Sequence, residues 1–291
     1  MELSGIWFLA LTILQSSAIF VVLKLFGKYK IDNWQALSVN YVIATIFGFI
    51  IYKGDISAEI IIEKDWFVYS LILGLTFIST FFIFALSSQK VGVALTSVAS
   101  KMSVVVPVIA GLILLNENIN LLSGIGVGIA LLAFYLTLGR GKNSAFPRKY
   151  VIFPLLLFIG NGVNDTIMKY SEYHYVSDSN DLILYLSVVF LTAMILGFII
   201  GAIKYVHKKF KIGLKNITAG IVLGLINFGS TFYLLKAMGV YDSSVVFPIT
   251  NAGIVSLSAL VGFLFFREKL SRRNRIGILL ALVAILLIAI A

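Results

Sequence analysis

The chain has 291 residues, of which 60% are hydrophobic and 12% are charged, with a formal net charge of +10. Soluble domains carry roughly 25% charged residues, so this composition predicts a protein that crosses the lipid bilayer several times. The absence of cysteine excludes disulfides and thiol chemistry, and no GxxxxGK[ST] motif for an ATP-driven motor occurs. The basic residues lie mainly in short connections, so we expect no nucleic-acid partner.

Hydrophobic runs follow one another along the whole chain. A membrane-spanning helix needs about 20 apolar residues, and ten runs meet this length. No basic residue precedes the first run, so we expect it to be a span and not a cleaved signal peptide. The predicted fold class is an all-α integral membrane protein with ten transmembrane helices. The ten runs lie at 5–26, 34–52, 66–88, 91–115, 121–138, 151–171, 181–203, 217–237, 240–266 and 272–290.

Lysine and arginine are unevenly distributed between the two sets of connections. Connections 1–2, 3–4, 5–6, 7–8 and 9–10 hold 18 of them, whereas the opposite side holds Lys53, Lys64, Lys169 and Lys236. Basic loops are retained in the cytoplasm. We therefore expect a multi-pass protein of the cell (plasma or inner) membrane with both termini on the non-cytoplasmic side.

The fourth run carries a single charge, Lys101, about 15 Å from its start at 1.5 Å rise per residue. An ammonium near the bilayer midplane costs at least about 2.5–3.5 kcal/mol, so it should face a partner or a wet cavity. Ser97 and Ser100 share its face, and Pro107 is expected to interrupt the helix. Lys101 is a candidate for binding a substrate carboxylate or phosphate, or alternatively for a structural pair with an acid such as Asp165.

The sixth and ninth runs supply the remaining candidates. Asn161 and Asp165 share one face of the sixth run with Lys169, and Asn164 lies alongside. Asp165 could take part in proton coupling or could be neutralised by a lysine, and both readings stay open. Thr250 and Asn251 offer neutral hydrogen bonds at the matching position of the ninth run. The predicted substrate-binding residues are Lys101, Ser97, Ser100, Asn161, Asn164, Asp165, Thr250 and Asn251.

The two halves of the chain contain the same motifs in the same order. LGLTFISTFF matches LGLINFGSTF, which pairs Gly74 with Gly224 at a spacing of 150 residues. Both the first and the sixth run end in lysine, at Lys24 and Lys169. Three further pairs occur at a spacing of 151 residues: Gly111 with Gly262, Glu117 with Glu268, and Gly126 with Gly277.

These pairs predict two five-helix repeats, at 1–138 and 151–291, joined by a connecting loop at 139–150. Five spans are an odd number, so the second copy must cross the membrane in the opposite sense. Inverted repeats of this kind occur in many secondary transporters. We expect Glu117 and Glu268 to have a structural role, because acids beside a helix start favour its dipole.

The paired motifs resemble those of the drug/metabolite transporter superfamily, in its ten-helix members with two EamA-type repeats. The resemblance covers nearly the whole chain. It implies a monomeric or loosely associated carrier, often an exporter of amino acids or related metabolites, with helices 1, 3, 4, 6, 8 and 9 lining a central cavity. The prolines of the two copies are out of step, Pro107 against Ser258 and Pro248 against Ser97, so the two halves of the cavity are expected to differ.

The leading hypothesis is a secondary carrier that exports a small polar metabolite, an amino acid or related organic acid, by alternating access. A carrier of phosphorylated metabolites, a channel and an intramembrane enzyme are the alternatives. The sequence shows no nucleophile–base pair or metal cluster, so we expect no enzyme activity, no metal and no cofactor. The expected partners are the lipid bilayer and a small-molecule substrate, with proton coupling left open.

The charge distribution predicts where topology reporters will be active. A reporter after Ala291 is expected to be active on the non-cytoplasmic side, and one between Lys208 and Lys215 on the cytoplasmic side, because basic loops stay in the cytoplasm. Two reporters that work in opposite compartments provide the measurement. The reverse pattern would contradict the orientation and leave the repeat intact, since an inverted repeat is inverted whichever way it inserts.

Overall fold

The computed structural model describes residues 3–114, 120–138, 147–206, 213–241 and 243–289. Within these ranges the regular structure is helical and no strand occurs. The helices are α1 (Leu3–Lys28), α2 (Asn33–Ile51), α3 (Ala58–Ile62), α4 (Phe67–Lys90), α5 (Val93–Met102), α6 (Val105–Leu114), α7 (Leu121–Leu138), α8 (Ile152–Tyr175), α9 (Ser179–Val206), α10 (Leu214–Met238), α11 (Ser243–Leu264) and α12 (Arg272–Ala289).

Nine helices in these ranges are long and apolar enough to cross a bilayer, with α5 and α6 counted together as one span. The predicted fold class, an all-α membrane protein, is therefore confirmed. The tenth predicted run forms α12, which has 18 residues and three arginines near its start. The count of ten spans and the division into two repeats stay predictions. Of the predicted connecting loop, residues 139–146 lie outside the described residues.

The span that contains Lys101 is broken near its middle, where Ser103 and Val104 separate α5 from α6. Pro107 has no amide hydrogen, and its ring clashes with the carbonyl four residues earlier, which belongs to Ser103. That carbonyl accepts a shorter-range hydrogen bond from the amide of Val106 at 2.9 Å. The interruption expected from Pro107 thus takes the form of a break directly after the turn that carries Lys101.

The helix contacts arrange most spans around a common centre. α1 packs against α4, α10 and α11, and α4 packs against α8 and α9. α2 packs against α9 and α10, while α5 packs against α8 and α11. The largest cluster of buried apolar side chains lies to one side, where α5, α7, α11 and α12 meet. The centre of the bundle is therefore left to α1, α2, α4, α8, α9 and α10.

Glycines that are paired in the sequence lie at close approaches between helices. A Cβ on Gly126 of α7 would lie 3.1 Å from a backbone nitrogen of α12, and one on Gly277 of α12 would lie 2.9 Å from a carbonyl oxygen of α7. A Cβ on Gly74 of α4 would lie 2.8 Å from a carbonyl oxygen of α9, and one on Gly224 of α10 would lie 3.1 Å from a carbonyl oxygen of α2. These contacts require a residue without a side chain.

One end of the bundle, which we call the basic end, is where α1, α4 and α11 finish and α2, α5 and α12 begin. There Glu268 accepts hydrogen bonds from the backbone amides of Val93 at 2.7 Å and Ala94 at 3.1 Å, and Lys24 Nζ lies 3.7 Å from the same carboxylate. Glu268 therefore satisfies the free amides at the start of α5, a helix of the other half of the chain. Its predicted counterpart Glu117 lies outside the described residues.

At the opposite end of the bundle, several groups donate hydrogen bonds to the carboxylate of Asp181. Lys64 donates to it at 2.9 Å, Trp66 Nε1 at 3.3 Å, and the amide and hydroxyl of Ser177 at 3.1 Å. The hydrogen bond to Asp181 raises the pKa of Lys64 above its ordinary value. Lys64 therefore loses its proton, and the pair its contribution to stability, only at alkaline pH. Through the neutral range the pair stays ionised.

The contact between α7 and α12 generates a test of the packing. Gly126→Ala is expected to lower the melting temperature of the detergent-solubilised protein, because the new methyl would meet Ile288, and overpacking costs about 1–3 kcal/mol. Gly128→Ala on the same helix is the matched control, since nothing lies within 4 Å of its Cβ position. That change should be neutral or stabilise by up to about 1 kcal/mol. Equal melting temperatures for the two variants would contradict this packing.

Candidate functional site

A cavity of about 210 Å³ lies at the centre of the bundle, and we call it the central cavity. Side chains from α1, α2, α4, α8, α9 and α10 line it. One side of the lining is polar: Thr80, Asn161, Asn164, Asp165, Asn227 and Thr231. Asp165 is the only side chain in the lining that carries a full charge, within the part of the chain that the structure describes.

Helix α8 contributes three adjacent polar residues of the lining, Asn161, Asn164 and Asp165. The sequence analysis predicted that they share a helix face, and the structure brings them together on the cavity. Two glycines allow α8 to lie close to its neighbours. A Cβ on Gly160 would lie 2.6 Å from Thr80 Oγ1, and one on Gly162 would lie 2.5 Å from side-chain atoms of α6. The polar face of α8 is thereby held against the cavity.

The hydrogen bonds of the lining asparagines leave carbonyl oxygens free. Asn161 Nδ2 donates to Ser100 Oγ at 2.8 Å, and Asn227 Nδ2 donates to Asn40 Oδ1 at 3.2 Å. Neither Oδ1 atom of these two lining residues has a hydrogen-bond partner among the described residues. Asn164 is only 7% exposed and makes no hydrogen bond there either. The Oδ1 atoms of Asn161 and Asn227 are therefore acceptors that a ligand in the cavity could use.

Lys101 is not part of the lining of the central cavity. It lies half-buried in the last turn of α5, where a cation is favoured by the partial negative charge of the helix end. Its ammonium interacts electrostatically with Asp165, yet the two groups form no ion pair within 4.0 Å. Lys101 thus acts on the carboxylate from the neighbouring helix, while Asp165 itself faces the cavity.

The other predicted site residues differ in their distance from the cavity. Ser100 does not line the cavity, but its hydroxyl accepts a hydrogen bond from Asn161, which does. Ser97 and Thr250 are buried, and their hydroxyls donate to carbonyl oxygens of their own helices at 2.8 Å. Asn251 is half-buried on α11 and lies outside the lining. The fourth and ninth predicted spans, which correspond to α5 with α6 and to α11, were expected to line the cavity. Neither contributes a residue to this lining.

The second side of the central cavity is an aromatic wall. Tyr41 lies 6.1 Å from Phe81 and 6.2 Å from Phe190 between ring centroids, and Phe77 lies 6.3 Å from Phe190. Phe81 and Phe84 are 5.7 Å apart. These spacings are those of interacting aromatic pairs. The rings form a continuous apolar surface facing the polar side of α8 and α10.

Sequence reasoning missed the aromatic wall and also Asn227 and Thr231. A signal for them existed, because the spacing of 150 residues that pairs Gly74 with Gly224 also pairs Phe77 with Asn227 and Phe81 with Thr231. All four of these latter residues line the central cavity. The first half of the chain supplies the aromatic member of each pair and the second half supplies the polar one.

A second, larger cavity of about 370 Å³ lies beside the first, and we call it the side cavity. Phe190 and Thr231 line both cavities, so the two adjoin at these side chains. The side cavity reaches Lys53 and Lys236 at the end of the bundle away from Glu268. Asn180 fixes that rim by exchanging hydrogen bonds of 3.0 and 2.8 Å with the backbone of Lys53.

The helices and the central cavity together define a multi-pass membrane protein whose spans line a cavity with polar groups on one side. Residues 3–139 match the EamA-like transporter family of the drug/metabolite transporter superfamily. Over these residues, the match confirms the family resemblance drawn from the sequence motifs.

Two comparisons extend over almost the whole chain. An uncharacterized protein of Haemophilus influenzae is 27% identical over 289 residues, which cover 95% of this chain and 95% of that protein. A solved crystal structure shares 13% identity with a TM-score of 0.55, covering 95% of this chain and 97% of the other. At this identity, the likeness to the crystal structure shows the fold alone.

The electrostatic interaction of Lys101 with Asp165 predicts energetic coupling between them. Lys101→Met should lower the melting temperature, because it leaves the carboxylate without its counter-charge, and a second change, Asp165→Asn, should restore part of the loss. The cycle of wild type, single variants and double variant should give a coupling free energy of about 0.5–3 kcal/mol.

The exposed lysine Lys236 provides the control for this cycle, and Lys236→Met should leave the melting temperature unchanged. Additive effects of the two single variants would contradict the electrostatic role of Lys101. An unchanged melting temperature together with lost substrate binding would instead favour direct contact between Lys101 and the substrate.

Proposed function

We propose that the protein is a secondary transporter of the cell membrane, which exports a small polar metabolite through the central cavity by alternating access. The observation that carries this proposal is the position of Asp165 and three asparagines on a cavity lined by membrane-spanning helices. Polar and ionisable groups are costly inside a bilayer, and where they occur they usually mark a substrate or ion pathway. A cavity of about 210 Å³ suits a small metabolite.

The alternating-access part of the proposal depends on the two predicted inverted repeats. Three features support them. The contacts of α1 and α2 with α10 have counterparts in the contacts of α8 and α9 with α4. The paired glycines lie at equivalent helix contacts, and the family match ends at residue 139, one residue beyond the predicted first repeat. Inverted repeats that rock against each other open a central site to one side at a time.

The side cavity supports an outward-facing state of this transporter. It adjoins the central cavity and reaches the end of the bundle that the distribution of lysine and arginine assigns to the non-cytoplasmic side. At the basic end, by contrast, Glu268 joins the start of α5 to Lys24, and Gln89 donates to Leu23 O at 3.2 Å and to Asn33 Oδ1 at 2.9 Å. An exported substrate would leave from such a state.

Reconstitution into liposomes tests the proposed function. Vesicles preloaded with a mixture of polar metabolites should take up labelled members of the same mixture in a saturable way, and preloading should accelerate the uptake, because a carrier exchanges substrate across the membrane. Asp165→Asn should lower the uptake at least tenfold, since it removes the charged group of the cavity. Glu172→Gln, an exposed change on the same helix outside the lining, is the matched control and should retain wild-type uptake.

The same assay separates the alternative functions. Uptake that neither saturates nor responds to preloading would indicate a channel, and conversion of a metabolite to a new product would indicate an enzyme. Uptake confined to phosphorylated members of the mixture would indicate a carrier of phosphorylated metabolites. Imposing a pH gradient across the same vesicles tests whether protons drive the exchange.

A further inference from the structure

We propose that the central cavity selects a small organic ammonium compound, a protonated amine that has an apolar side chain and no carboxylate group. This inference rests on the proposed transport function and specifies the substrate class of the same site. It departs from the amino acids and organic acids that the sequence and the family resemblance suggest. The charge, the hydrogen-bond acceptors and the apolar surface of the lining support it.

The charge of the lining favours a cation. Asp165 lines the cavity, while Lys101 of α5 is outside the lining. Lys53 and Lys236 lie on the side cavity, at the rim of the bundle. A substrate carboxylate in the central cavity would meet Asp165 with no facing cation in the lining described here. An ammonium would form a charge-assisted hydrogen bond with the carboxylate, which is about twice as strong as a neutral one.

The hydrogen-bond acceptors of the lining match the donors of an amine. The amide nitrogens of Asn161 and Asn227 are engaged with Ser100 and Asn40, which leaves the two Oδ1 atoms as the available groups. Thr80 on the same surface makes no hydrogen bond with the described residues. A protonated primary amine has three N–H donors and no acceptor. Such a group can be satisfied here, whereas a quaternary ammonium has no N–H to donate.

The orphaned amide of Asn164 is an independent sign of a ligand. Its side chain lines the cavity, is only 7% exposed, and its Oδ1 is buried without a hydrogen-bond partner. Buried polar groups in proteins are nearly always hydrogen-bonded. The amide lies on α8 beside Asp165, and a turn of its side chain toward the cavity would let a bound amine or its hydration water complete its hydrogen bonds.

The aromatic wall suits the rest of the proposed substrate. Phe77, Phe81, Phe84 and Phe190 offer an apolar surface, and the faces of such rings also attract cations. The cavity has a volume of about 210 Å³. A single short aliphatic or aromatic side chain fits this space, while drug-sized molecules need the larger pockets of about 300–1,000 Å³.

Three compounds with the same side chain test the inference: isopentylamine, leucine and 4-methylpentanoate, which carry an ammonium, both charges and a carboxylate, respectively. Thermal shift and calorimetric binding are measured on the detergent-solubilised wild type. Isopentylamine is expected to raise the melting temperature and to bind at least tenfold more tightly than leucine, because leucine brings its carboxylate into a cavity lined by Asp165. 4-Methylpentanoate is expected to give no shift.

Two variants assign the binding to this cavity. Asp165→Asn should abolish the shift by isopentylamine, and Glu172→Gln should retain it. Asn227→Ala removes one neutral acceptor and should weaken amine binding by about threefold to tenfold, the usual range for one hydrogen bond. This milder variant keeps the test informative if Asp165→Asn fails to fold.

The outcomes distinguish the substrate class from the transport function. Tighter binding of leucine or 4-methylpentanoate than of the amine overturns the inference, and so does the absence of any shift by isopentylamine. Amine binding that persists in Asp165→Asn and Asn227→Ala also overturns it, by placing the amine elsewhere. In each case, saturable exchange of other metabolites in liposomes would leave the proposed transporter standing, whereas amine binding without exchange of any metabolite would overturn the transporter alone.

Discussion

A carboxylate inside the membrane-spanning region is the constraint around which the bundle is arranged. Moving such a group into an apolar medium is prohibitively costly unless counter-charge, hydrogen bonds or water surround it. Asp165 has the central cavity on one side and the electrostatic influence of Lys101 from α5. Lys101 is in turn favoured by the negative end of α5. The positions of α5 and α8 are therefore linked by charge as well as by packing.

The break between α5 and α6 makes that linkage possible. Pro107 ends the regular hydrogen bonding next to Lys101, so the free end of α5 lies inside the bundle and not at the membrane surface. The same segment provides Ser100, whose hydroxyl accepts a hydrogen bond from Asn161 at 2.8 Å and orients its amide. Broken helices near the midplane are common at the binding sites of secondary transporters. Here the break follows the turn that carries Ser100 and Lys101, which interact with Asn161 and Asp165 of the lining.

The central cavity has opposite chemistry on its two sides, although related sequence positions supply both. Phe77 and Phe81 belong to the aromatic wall, and their counterparts at a spacing of 150 residues are Asn227 and Thr231 on the polar side. In the two predicted repeats, the paired glycines lie at helix contacts in both halves, while the side chains of the cavity differ. An asymmetric site can hold the charged end of a molecule on one side and its apolar end on the other.

Composition and periodicity determined the membrane class, nearly all spans and the polar face of α8 with Asn161, Asn164 and Asp165, because these are local properties of a helix. They also indicated that the charge of Lys101 needs a partner group or water. Only the tertiary structure decided that Asp165, not Lys101, faces the cavity, and that Ser97 and Thr250 bond to their own helices. A helical repeat shows which residues share a face, but the rotation of each helix depends on distant contacts, such as those of Gly160 and Gly162.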